Sequence, residues 1–195
     1  MFATLRSAAF GFLFVPILLT GCAGIQKGPK AFVPSPAEKH LVDGIVLRLQ
    51  ISRDVAWTKF KNHLPVRNPA RESQLLDAME SRYRNEPETW PQARLFLRSQ
   101  IDASCLVQAA CIRYWSRGGE LPAYPPKNLQ TDLRERLDLV TGQLLDNFDL
   151  LAPQGFRPGL HGYAYEAICH AGFSWKVARA AAAPLKAAKG VAAQK

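Results

Sequence analysis

An all-α fold, a single multi-helix domain, is predicted by three observations. Apolar or small residues recur at helical spacing over long stretches, as at Leu41, Ile45, Leu49, Ser52, Val55 and Ala56. No segment shows the two-residue alternation of a half-buried strand. Prolines and glycines fall where the periodic stretches begin and end.

The elements follow in order. A first helix is expected from Pro36 to Leu64, stopped by Pro65. Asn68-Pro69 is an N-cap followed by proline at the first helical position, and opens a second helix running to Arg84. After the turn "NEPETWP", a third runs from Trp90 to Arg117 and ends on Gly118-Gly119. "ELPAYPPKN" is a proline-rich connection to a fourth helix, Leu129 to Leu151. "APQGFRPG" breaks the chain, and "LHGYAYEAICHAGFSWKVARA" is helical again. The final alanine- and lysine-rich stretch has little to bury and is expected to fray.

Residues 1–21 lie outside this scheme. Their apolar run, Ala8 to Leu19, is short for a bilayer span and carries the mark of a secretory leader. Leu19-Thr20-Gly21-Cys22 has the form of a bacterial lipobox, which makes Cys22 the candidate lipidation site. The expected divisions are a leader at 1–21, a flexible tether at 22–38, a helical domain at 39–176 and a tail at 177–195.

Of the 195 residues, removing 21 leaves 174, enough for one domain with a proper core. Lys and Arg number 25 against 16 Asp and Glu, a net charge of +9. Such an excess suits nucleic acid, an anionic membrane surface or a small anionic substrate. An exported chain meets little nucleic acid, so no nucleic-acid partner is expected. Downstream of Cys22 stand Cys105, Cys111 and Cys169. Cys105 and Cys111 fall on nearly opposite faces of one helix and do not suit each other. A bridge from Cys169 to either, or three unpaired thiols, remain open. No cysteine and histidine spacing suits zinc, and no metal is expected. His161, His170 and the four tryptophans read as structural or surface groups.

The informative stretch is "RLQISRDVAWTKFKNHLPVRNPARE", Arg48 to Glu72. Eleven helical residues make three turns plus about 20°, so Arg48 and Lys59 share one face, roughly 16 Å apart along the axis. Arg71, after the Pro65 turn, reaches the same space. Cations within an apolar stripe are costly unless an anion meets them, and the nearby acids are Asp54 and Glu72. The pattern therefore calls for anions, supplied either by the protein or by a ligand such as a compact dianion held between the two side chains.

The same stretch resembles the first-helix signature of the exported, all-helical chorismate mutases of the AroQ gamma type: R-L-x5-V-A-x2-K, then L-P-[IV]-x-[DN]-x2-R-E. "FLRSQIDASCLVQAACIRYW" is similar to their next motif, and "NLQTDLRERLDLVTGQLL" more weakly so. The likeness covers about Leu41 to Leu145. It implies a site enclosed within one chain and a cofactor-free Claisen rearrangement of chorismate to prephenate. By the match, Arg48 and Arg134 grip carboxylates and Arg71 completes the cationic shell. Lys59 and Gln108 donate to the ether oxygen, Ser104 contacts the substrate, and Glu72 accepts from the ring hydroxyl. Lys59, Gln108 and Arg48 are the expected catalytic groups. Arg134 aligns better than Arg136.

Asn68 departs from the aspartate often found in these enzymes, and Gln108 from the glutamate of some. The lipobox is a third departure, since the exported enzymes are usually soluble. Chorismate and prephenate are the implied ligands, the membrane a partner through the lipid anchor, and a homodimer is left open. The expected location is the periplasm, with the outer membrane preferred. The competing expectation is a catalytically silent helical lipoprotein that binds an anionic metabolite or envelope component. It would need the arginines but not the Lys59–Gln108 donor pair.

Overall fold

The computed structural model describes residues 31–186. The leader, Cys22, most of the tether and residues 187–195 lie outside the described residues. Six α-helices and no strand occur among the described residues, so the chain is all-α. They are α1 (Pro36–Lys61), α2 (Pro69–Glu80), α3 (Trp90–Ser116), α4 (Glu135–Leu151), α5 (Leu160–His170) and α6 (Trp175–Ala182).

A capping box starts α1. The Ser35 hydroxyl accepts from the Glu38 amide at 3.3 Å, and the Glu38 carboxylate accepts from the Ser35 amide at 2.7 Å. Both Glu38 oxygens also accept from Arg157, which ties the start of α1 to the loop before α5. Phe32 packs against the core, with the Arg157 guanidinium 4.9 Å above its ring. The expected tether therefore ends sooner than 38, because Phe32 and Glu38 have partners in the domain.

α1 packs on α3 and α4, and its Leu41, Val42, Ile45 and Leu49 are almost wholly buried. Gly44 permits the close approach of α4: a Cβ there would stand 2.9 Å from Leu144 Cδ2. Phe96 of α3 and Phe148 of α4 stack at 4.7 Å between ring centroids near the middle of the core.

Four expected boundaries move. α2 gives way after Glu80 to a 3-10 turn at Ser81–Tyr83, short of Arg84. α1 stops at Lys61, before Pro65, because His63 turns into the left-handed region with φ of 52°. The expected fourth helix begins as one π-helical turn, Leu129–Arg134, capped by the Asn128 side chain, before α4 proper. The expected helix after Gly159 is two, separated at Gly172, whose φ of 80° suits glycine.

The larger correction concerns the tail. α6 continues to Ala182 and a 3-10 turn to Leu185, and Ala178, Ala181, Ala182 and Leu185 are fully buried. Alanine buries little area per residue, so composition suggested a frayed end. Small side chains instead let α6 pack closely on α3 and α5.

Candidate active site

A cavity of about 540 Å³ opens between the C-terminal half of α1, the N-terminal part of α2, the middle of α3 and the π-helical turn before α4. The periodicity of α1 places Arg48, Ser52, Val55 and Lys59 along its wall, with the small residues at 52 and 55 leaving room between the cations. All seven residues singled out from the sequence line it: Arg48, Lys59, Arg71, Glu72, Ser104, Gln108 and Arg134. Arg136 is exposed and does not.

Arg48 is buried, at 5 % exposure. Its Nη1 donates to the Gln100 carbonyl at 2.9 Å and the Ser104 hydroxyl at 2.6 Å, and its Nε to the Thr141 hydroxyl at 3.3 Å. Every one of these acceptors is neutral. No carboxylate among the described residues comes within ion-pair distance. Burial pushes its pKa down to about 10, so the guanidinium remains a cation near neutral pH. A buried charge held only by neutral oxygens keeps its attraction for an incoming anion.

Lys59 donates to the Val66 carbonyl at 2.5 Å, across the turn that His63 creates. Burial lowers its pKa, and Arg134 adds to that; Cys105 and Glu72 oppose it. Gln108 is buried, and its Oε1 has no partner among the described residues. Ser104 donates to the Gln100 carbonyl at 2.8 Å while accepting from Arg48, so in this state it serves the arginine. Arg134, at the end of the π-helical turn, donates to Gln130 at 2.5 Å.

The acids are arranged differently from the expectation. Asp138, which spacing had not singled out, takes Arg71 Nη2 on both oxygens, at 2.7 and 2.6 Å. Glu72 accepts from Arg67 at 3.0 Å, and Arg67 also pairs with Asp102. Asn68 caps α2 by accepting from the Arg71 amide at 3.0 Å, and lines the cavity too.

The proline-rich connection is strapped to the outer side of α1. Trp57 Nε1 donates to the Tyr124 carbonyl and the Thr58 hydroxyl to the Lys127 carbonyl, both at 2.9 Å. Asp54 accepts from the Tyr124 hydroxyl at 2.8 Å and from Lys127 Nζ at 2.5 Å. These bonds bring Lys127, Asn128 and Leu129 to the cavity rim. Asp54 therefore serves the strap and Lys127 at the rim, and not Arg48 or Lys59.

Gln100, Asp138 and Thr141 escaped the sequence reading, yet a signal existed. Gln100 precedes Ser104 by one helical step of four, and Asp138 and Thr141 follow Arg134 by four and seven. Cys105 lines the cavity, and Cys105, Cys111 and Cys169 are all free thiols. Burial raises the pKa of Cys105 and Cys111.

No protein-family model matches the chain. Among solved structures, it is similar to the chorismate mutase from Burkholderia thailandensis, with 26% identity, 78% of this chain and 100% of that one covered, and a TM-score of 0.66. The chorismate mutase from Burkholderia phymatum shares the fold at 24% identity, 77% and 98% coverage and a TM-score of 0.63. The first likeness supports the chorismate mutase family, and both agree with the all-helical architecture.

Proposed function

We propose that this chain is a chorismate mutase, converting chorismate to prephenate without a cofactor. The observation that carries the reading is the buried Arg48, held by neutral acceptors on the wall of a cavity it shares with Lys59 and Gln108. The rearrangement needs no nucleophile and no proton transfer. It needs the substrate held in its reactive pseudo-diaxial shape, and positive charge where the breaking C–O bond makes the ether oxygen more negative.

In this reading Arg48 and Arg134 face the two carboxylates, for which a planar guanidinium gives a fork of donors. Lys59 stabilises the ether oxygen with a compact ammonium charge, and Gln108 donates through its amide. Ser104 keeps Arg48 aimed, and Glu72, anchored by Arg67, accepts from the ring hydroxyl. The fixed donors are present before the charge develops, so little reorganisation is required during reaction.

The reading extends to the exported gamma type and to a periplasmic location on a lipid anchor at Cys22. The motif spacing in residues 48–72 and the lipobox support this part.

The test is loss of chorismate absorbance with prephenate formation, wild type beside Lys59→Ala. Conversion by the wild type, lowered about 10²- to 10³-fold in the variant, is expected for loss of a donor to developing charge. A folded wild-type protein that converts no chorismate would favour the silent anion-binding lipoprotein instead.

A further inference from the structure

Five cationic side chains line the cavity, and they are held in two ways. Arg48, Lys59 and Arg134 donate to neutral oxygens: a backbone carbonyl, two hydroxyls, a second carbonyl and an amide. Arg71 and Lys127 rest on carboxylates, those of Asp138 and Asp54. A cation already on a carboxylate must give up that pairing before gripping another anion. A cation on neutral acceptors keeps its charge for the ligand.

We propose that Asp138 sets the charge the cavity presents, holding Arg71 out of direct anion binding and leaving Arg48, Lys59 and Arg134 to meet a dianion. This refinement rests on the reading of the cavity as a dianion site. Three cations then match two carboxylates and one oxygen that gains charge. Asp138 itself lines the cavity, and its field also reaches Arg48. Without it, Arg71 would be a fourth free cation at the mouth. Binding of ground state and product would tighten with no gain at the reacting oxygen. The shell function that the sequence resemblance implies for Arg71 thus becomes neutralisation of Asp138.

The test measures binding of malonate, a simple dicarboxylate, by titration calorimetry in the full chain, with chorismate turnover followed in parallel. Asp138→Asn frees Arg71, and malonate is expected to bind about three- to tenfold more tightly, the range for one partly screened charge at this distance. Arg71→Ala leaves the Asp138 carboxylate unpaired and should weaken binding by a similar factor. The double variant should recover most of that loss, since the repelling carboxylate goes with the arginine. If Arg71 grips the anion directly, the double variant stays well below wild type, because the contact is lost even with the carboxylate gone, and the proposal is overturned. Equal binding by all four proteins, or weaker binding by Asp138→Asn, also overturns it. The malonate pattern without turnover of chorismate by the wild type would leave the function of Asp138 standing and remove the chorismate reading. Turnover without the malonate pattern would do the reverse.

Discussion

At the scale of single residues, protonation decides how the cavity behaves with pH. Gln108 is a neutral amide and donates at any pH, where a glutamate would first have to be protonated. Turnover is therefore expected to stay level between about pH 5 and 8. A steep fall across that range would count against Gln108 as donor. The alkaline side belongs to Lys59 and to the buried Arg48, whose cationic forms are the useful ones. Burial lowers the Lys59 pKa below the ordinary 10.5, so the ammonium is lost earlier as pH rises. A pH–rate profile should show activity falling with a midpoint below 10.5, and Lys59→Arg should lower the rate while leaving a limb at about pH 10, where the buried Arg48 loses its charge.

At the scale of elements, the start of α1 is held by charge. The Arg157 guanidinium beside Glu38 holds its carboxyl at about 2, against 4.5 when unperturbed; the Ser35 bonds add to this, while burial opposes it. A depressed carboxyl pKa contributes stability that is fully present above 4.5 and is lost as pH falls towards 2. Acid unfolding followed by circular dichroism should show this loss. Arg157→Gln should flatten the dependence between those limits while lowering stability near neutral pH. An unchanged slope in the variant would mean that the ion pair does not control the carboxyl. The other element of consequence is the π-helical turn at Leu129–Arg134. It ends on Arg134, and α4 continues from it to Asp138 and Thr141, which engage Arg71 and Arg48. Periodicity over 129–151 reads as one helix because a single π turn barely alters the apolar pattern.

At the scale of the whole molecule, a net charge of +9 and a cation-lined cavity should draw in a dianion. Raising ionic strength from ~10 to ~150 mM is expected to lower kcat/KM by roughly three- to tenfold as the Debye length shrinks. Stopped-assay rates at subsaturating chorismate measure this, and a salt-independent kcat/KM would exclude long-range steering. Local spacing was enough to predict the all-helical class, since apolar repeats, proline stops and glycine breaks are properties of neighbouring residues. It also brought Arg48, Lys59 and Arg71 together, while Glu72, Ser104, Gln108 and Arg134 were named by the motif resemblance and not by spacing. It did not foresee α6, for alanine carries too little apolar surface to announce a buried helix until α3 and α5 are beside it. Nor did it foresee how the cations are shared out. Asp138 meets Arg71 across 67 residues and Thr141 meets Arg48 across 93, so which charge is neutralised and which stays open to a ligand was decided only when α1, α2 and α4 packed together.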